Sequence, residues 1–301
     1  MKDISSLKTL VHFPVMLEQV MKICSPSKGG LYIDCTFGSG GYSKAILSFS
    51  DTKVIALDRD LHTKSYVEDI KKKYNDRFKF KNLKFSTIDD AIEENIKADC
   101  IIFDLGLSSN QIQNLERGFS FNSKGKLDMR MGLNSITAED VLNKCDLKTL
   151  TDIFKVLGEE REGFRIAKNI VTQRKIKPLK YIPDLIDIIK KSKKKDFKKK
   201  INISTKTFQG IRIFVNKEIS ELIDGLIKAT KILKSGGKII VISFHSIEDK
   251  IVKFFFTKLS RNKPRTSRYF PDTNEQKFLF EQYKNKIIRP TPNEINKKNP
   301  S

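Results

Sequence analysis

Three glycines and two acids carry the chemistry most readable in this chain. The stretch TFGSGGYS (36–43) places Gly38, Gly40 and Gly41 after a short apolar run, LYIDC. Lacking Cβ atoms, such a turn lets backbone come close to a ligand. Asp58 closes the apolar part of KVIALDRD (53–60), where a carboxylate can accept both hydroxyls of a ribose. Asp104 follows DCIIF and opens DLGLSSNQ, where its charge can face a cationic amine or a reacting group. These are groups for holding an adenosine-containing cofactor.

Two such cofactors fit the glycine turn and Asp58, a nicotinamide dinucleotide or S-adenosylmethionine. The dinucleotide fingerprint G-x-G-x-x-G would put a third glycine at position 43, where Ser43 stands. A phosphate-cradling G-x-x-x-x-G-K-[ST] loop is absent from the sequence. An acid at Asp104 would repel a pyrophosphate but suits the ammonium of a methionine end, which favours S-adenosylmethionine.

Elements with the right spacing must bring these residues together. PVMLEQVMKIC spaces Leu17, Val20, Met21 and Cys24 as one helical face, ended by SPSKGG. Strands are predicted at 31–37, 53–60, 77–86 and 100–106, with helices between the first three, a pattern of parallel βαβ units. Ile219, Leu222, Ile223, Leu226 and Ile227 line a further helix expected to stop at Gly236-Gly237, followed by a fifth strand in KIIVISF. In an open α/β sheet the turns at the carboxyl ends of the strands face one crevice. The long stretch between the fourth and fifth strands exceeds any single crossover helix, so a small helical domain is inserted there. It contains a T-x-x-D cap at Thr137, the helical run GFRIAKNIVTQRK and IPDLIDIIKK with Pro183 in its first turn. After Ser260 the chain is polar, with a weak strand pair in KFLFEQ and NKIIRP.

Composition narrows the setting. Charged residues make up 31% and hydrophobic ones 39% of 301 residues, and no apolar run approaches the roughly 20 residues of a membrane helix. Lys8, His12 and Pro14 interrupt the N-terminal run, so no signal peptide is expected and the expected location is the cytoplasm. Cys24, Cys35, Cys100 and Cys145 lie far apart and the three histidines form no ligand-spaced pair, so neither a disulfide framework nor a metal is expected. A formal net charge of +22 points to a polyanionic partner. Eight lysines in the eleven positions 190–200 concentrate that charge in the insert.

The blocks YIDCTFGSGGYS, ALDRD, FDLGLSSNQ, ERGFSF, LDMRM, GEER, KTFQGIRIFVN and ISFHSIEDK occur in the order expected of the RsmH (MraW) family, which the chain resembles from about His12 to Pro300. The resemblance implies an α/β, Rossmann-like class I S-adenosylmethionine-dependent methyltransferase fold with an inserted small all-helical domain. The division expected is 1–111 and 207–301 for the methyltransferase domain and 112–206 for a substrate-binding insert. It further implies methylation of the exocyclic 4-amino group of a cytidine in the decoding centre of 16S rRNA, within an assembling small ribosomal subunit. A homodimer is left open. Carried over residue by residue, Gly40, Gly41 and Tyr42 would hold the methionine end of the cofactor, Asp58 its ribose and Phe85 its adenine. Asp104 and Gln111 match further cofactor contacts. Tyr42 replaces a common histidine of the family, and Gly132 a common aspartate. The family usually continues beyond KKNPS through a basic, strand-forming tail.

For catalysis, Asp104, Asp128 and His245 are the candidates. Asp104 or neighbouring carbonyls of DLGL would accept the hydrogens of the amine. Asp128 with Arg130, and His245 with Glu248, would line the base pocket, against the plainer readings of an ion pair and a helix cap. No cysteine follows a proline, which argues against a cytosine-5 methyltransferase, and D-P-P-Y of common amino-methyltransferases is replaced by DLGL. A nicotinamide oxidoreductase and a non-catalytic RNA-binding protein retaining the cofactor fold are the readings from other classes.

Overall fold

A computed structural model describes residues 14–193, 202–260, 279–283 and 287–290. Helix α1 (Leu17–Cys24) precedes β1 (Gly30–Asp34), α2 (Gly41–Leu47), β2 (Thr52–Leu57), α3 (Lys64–Tyr74) and β3 (Phe78–Lys81). A 3₁₀ helix over Phe85–Ala91 then leads to β4 (Ala98–Asp104). After the insert come α10 (Glu218–Ile232), β5 (Leu233–Ile242) and α11 (Ser246–Leu259). All pairings are parallel and the strand order is β3-β2-β1-β4-β5, a Rossmann-like sheet. The order reverses between β1 and β4, so the crevice opens at their carboxyl ends.

A parallel sheet buries both faces, and the alternation of the strands divides two cores accordingly. Tyr32, Val54, Cys100 and Ile102 pack with α1, α2 and α3 on one side. Ile33, Ile55, Ile101 and Phe103 pack with Leu222, Leu226 and Ala229 of α10 on the other. Cys24, Cys35 and Cys100 are free and buried in these cores, as small hydrophobes.

Beyond β4 come α4 (Ser109–Gln113), which straddles the expected boundary at 111, then α5 (Ala138–Lys144), α6 (Leu147–Asp152), α7 (Gly163–Ile176), α8 (Ile182–Ser192) and α9 (Thr205–Asn216). Thr137 caps α5 as its T-x-x-D spacing predicts, exchanging bonds with Asp140 in both directions. A separate core forms around Val141, Leu150, Phe154, Ile166 and Leu185. Phe208, Ile211 and Val215 of α9 belong to that core, so packing joins α9 to the insert and differs from a boundary drawn at 206.

Helix α10 ends at Ile232 rather than at Gly236-Gly237. Leu233 pairs with Ala98 and Lys238 with Cys100, so the strand starts early and the glycines sit in a bulge within β5. The expected pair KFLFEQ and NKIIRP reduces, among the described residues, to a single bridge between Phe280 and Ser260. Positions 194–200 of the lysine run, and His12, lie outside the described residues. Among the described residues no helix is long and apolar enough to cross a membrane.

Candidate active site

The glycine turn joins β1 to α2 and divides its roles. Gly40 adopts φ 78 and a Cβ there would meet Ile70 Cδ1 at 2.6 Å and the Phe37 ring at 2.8 Å. Packing under the turn therefore demands that glycine. At Gly38 a Cβ would find nothing nearer than Ser108 Cβ at 3.8 Å, so this residue faces the gap between the first and fourth turns. Gly41 opens α2, and the next residue, Tyr42, turns its ring into the core with its hydroxyl donating to the Val15 carbonyl. Tyr42 offers a ligand backbone, not a side chain. Ser43, at the position a dinucleotide fingerprint gives to glycine, donates to Asp34 Oδ2 at 2.7 Å.

Asp58 ties two turns together. Its Oδ2 accepts from the Gly38 N–H at 2.7 Å and its Oδ1 from the Asp60 N–H at 2.8 Å. Each carboxylate oxygen keeps a further lone pair for a ribose hydroxyl. Burial pushes Asp58 up to about 6, against the lowering effect of those backbone bonds, and burial likewise pushes Asp34 up to about 6. Asp34 was not anticipated; an acid nine positions before Ser43 is the signal in the sequence.

Asp60 is a second unanticipated residue. Its carboxylate accepts from Gln111 Nε2 at 2.9 Å, from the His62 N–H at 3.1 Å and from Arg117. Burial, the largest influence, would raise this carboxyl, but the Arg117, Gln111 and His62 bonds outweigh it and hold it below the usual range. Gln111, expected as a cofactor contact, is turned toward Asp60 and also accepts from the Ser108 N–H at 3.0 Å. It shapes the fourth turn from behind. Neighbouring Arg59 donates to the Asn216 carbonyl at 3.0 Å, and the Asn216 side chain bonds Met131 N–H and Met129 carbonyl at 2.8 and 2.7 Å. Gly132, with φ 131, presses so closely on the Arg59 carbonyl that a Cβ would collide, so this backbone needs glycine there.

Asp104 stands at the end of β4, where its N–H donates to Thr36 Oγ1 at 2.7 Å and its Oδ1 is shielded from solvent. Gly38, Asp58 and Asp104 are thus brought to one crevice. The other candidates are engaged elsewhere. Phe85, half-buried, packs edge-on against Phe103, ring centroids 5.6 Å apart, and against Gly225 of α10, at the margin of the core. Asp128 is held by Arg130 through two bonds of 2.8 and 2.9 Å, and these bonds outweigh burial to keep its carboxyl low. The ion-pair reading describes it.

His245 caps α11, its Nδ1 accepting from the Glu248 N–H at 3.4 Å, while Nε2 lies 3.1 Å from Glu248 Oε1 without hydrogen-bond alignment. Glu218 completes a grouping with His245 and Glu248 whose ligand-type atoms lie within 4.8 Å of one another. Its chemistry is not that of a metal cage: Arg212 takes both Glu218 oxygens at 2.8 Å, and with Nδ1 accepting, the ring proton falls on Nε2.

Comparison with known proteins agrees with this architecture. The family model described as MraW methylase family matches residues 9–301. A ribosomal RNA small subunit methyltransferase H of Bartonella bacilliformis is 42% identical over 272 residues, covering 89% of this chain and 80% of that protein. One of Rickettsia bellii is 44% identical over 259 residues, covering 86% and 84%. Among solved structures, an rRNA methylase from Streptococcus thermophilus overlaps 33% of this chain and 58% of its own, at 14% identity and a TM-score of 0.27, which adds nothing to the fold read from the sheet itself. On its near-complete match to the family model and the extent of its relatives, this chain belongs to the MraW methylase family.

Proposed function

We propose that the chain transfers the methyl group of S-adenosylmethionine to the exocyclic 4-amino group of a cytidine in the decoding centre of 16S rRNA, acting in the cytoplasm on an assembling small ribosomal subunit. The observation that carries this reading is the convergence of Asp58, Gly38 and Asp104 on one crevice: a ribose acceptor, open backbone and an acid suited to an ammonium. The open backbone at Gly38 and the acid at the neighbouring strand end fit a cationic methionine end better than a pyrophosphate. The family and the names of the relatives support the substrate class.

S-adenosylmethionine supplies a sulfonium-activated methyl group when bound. The task left to the chain is to place the acceptor. A cytosine amine is a weak nucleophile because its lone pair is delocalised into the ring. Asp104, or the carbonyls of Leu105 and Gly106, would accept the amine hydrogens and turn that lone pair toward the methyl group. Holding the reactants in line is worth about 7–11 kcal/mol of the barrier. No dedicated base is required, since the methylated ammonium releases its proton readily. The lysines of the insert would grip flanking phosphates and set the register of the RNA without reading bases.

The test is incubation of the protein with labelled S-adenosylmethionine and small subunits lacking the modification, followed by nucleoside mass analysis. N(4)-methylcytidine should appear and fall by at least about a hundredfold in D104A. Methylation of another base, or none despite cofactor binding, overturns the reading, the latter in favour of a non-catalytic RNA-binding protein.

A further inference from the structure

We infer that Phe244 is the platform on which the extruded target base stacks; the inference rests on the RNA-methylation reading and names a positioning residue for it. Phe244 lies two residues beyond the end of β5, on the carboxyl edge that also carries Asp104. Asp104 and Ile242 are register partners, and the Leu105 N–H donates to the Ile242 carbonyl at 3.0 Å. Phe244 is 55% exposed. It lies along the DLGL turn itself: Gly106 has φ 93, and a Cβ there would sit 3.3 Å from Phe244 Cδ2 and 3.7 Å from Cγ. The turn is shaped so that an exposed ring can lie against it.

Its backbone is also held. The Phe244 N–H donates to Glu248 Oε2 at 2.9 Å, and Glu248, only 2% exposed, is in turn fixed by the His245 cap. One residue further on, the Ser246 hydroxyl donates to Glu159 of the insert. A buried carboxylate thus fixes the backbone of an aromatic residue whose side chain is exposed, with a histidine cap and an interdomain bond on the next two residues. His245 and Glu248 act here as positioning residues rather than as acid and base.

The surroundings suit a polyanion. Lys250 approaches Glu159 at 3.3 Å, Lys206 donates to the Glu159 carbonyl at 2.9 Å, and Arg161 is exposed in the same loop. A cytosine removed from its RNA stack loses its stacking partners, and a phenyl ring replaces them without adding hydrogen-bond readout. The platform would orient the plane of the base beside Asp104. Identity of the base would be read elsewhere.

The test compares F244A, F244L and F244Y in the subunit methylation assay, with calorimetric S-adenosylmethionine binding and urea unfolding alongside. F244A and F244L should each lower kcat/KM for subunits roughly ten- to hundredfold, F244Y should restore most of it, and cofactor affinity and unfolding midpoint should stay at the wild-type values. Wild-type kcat/KM in F244L would overturn the inference, as would a parallel loss of cofactor affinity, which would put the ring in the cofactor pocket. A methylated nucleoside other than N(4)-methylcytidine would sink the proposed reaction but leave the Phe244 comparison readable. Should no methyl transfer occur, ultraviolet crosslinking of subunit RNA, mapped by peptide mass, decides: an adduct at Phe244 supports the platform and its absence overturns it.

Discussion

The carboxyl edge of the sheet and the junction with the insert solve the same problem, holding a crevice in shape, by different means. At the edge, turns hold one another largely through backbone N–H groups: Gly38 and Asp60 donate to Asp58, and Asp104 donates to Thr36. At the junction with the insert, the links are made by side chains. Arg117 and Gln111 converge on Asp60, Arg59 meets the Asn216 carbonyl, and Ser246 meets Glu159. A backbone donor persists through any substitution except proline, so an edge bond is lost only when its side-chain acceptor, Asp58 or Thr36, is replaced, whereas most junction bonds fail when either partner is replaced. The junction therefore offers more single positions than the edge at which a substitution breaks a bond.

The largest expected effect tests that contrast directly. In D60A, Arg117, 13% exposed at its side chain, keeps a buried guanidinium without its carboxylate. Removing one partner of a buried pair costs about 3–5 kcal/mol, so urea unfolding should show a loss of that order. Gln111 would lose its partner as well. A loss below about 1 kcal/mol would mean that the junction does not depend on this pair and that the contrast is wrong.

The edge makes its own, smaller prediction through Asp58. With its carboxyl pushed up to about 6, Asp58 is mostly protonated at pH 5 and mostly ionised at pH 7. An ionised carboxylate is the better acceptor for ribose hydroxyls, so affinity for S-adenosylmethionine should rise about tenfold from pH 5 to pH 7. D58N should bind more weakly and flatten that rise. The sign for folding is opposite: a carboxyl raised above its usual 3.8 holds its proton more tightly in the folded state, so its contribution to stability declines as pH rises from about 4 to about 6. An affinity that falls over this range, or a D58N profile like that of the wild type, would remove Asp58 from the cofactor site.

The same contrast separates what could be read in the sequence from what could not. Strands β1, β2 and β4 were legible, with the glycine turn, Asp58 and Asp104 at their carboxyl ends, because apolar runs ending in glycine or acid express local geometry; that Gly40, carried over for the cofactor, is also demanded by packing against Ile70 and Phe37 was not. Asp60, Arg117, Arg59 and Asn216 were not. Arg117 lies 57 positions from Asp60 and Arg59 lies 157 from Asn216, separations at which residue spacing carries no signal. Asn216 left a faint trace, as a polar residue closing the apolar face of IFVN. Phe85 illustrates the converse: its expected place at the adenine comes from resemblance, and residue spacing gives no sign of its edge-on packing against Phe103. The end of α10 was misplaced because glycines that normally stop helices serve here as a strand bulge.

The smallest expected effect asks whether local structure in the insert is separable from the crevice. Thr137 caps α5 by a motif that was visible in the sequence, and its hydroxyl accepts from the Asp140 N–H at 3.1 Å while its own N–H donates back to Asp140 at 3.0 Å. Loss of such a cap costs about 1 kcal/mol, so T137A should lower stability by that amount and T137S should recover most of it. Neither should alter S-adenosylmethionine affinity, because the described bonds of Thr137 stay within the start of α5. A weakened cofactor affinity in T137A, matched in size to the stability loss, would show that the insert and the crevice form a single cooperative unit. The distinction between a locally held edge and a side-chain junction would then have to be given up in favour of one network running from α5 to the strand ends.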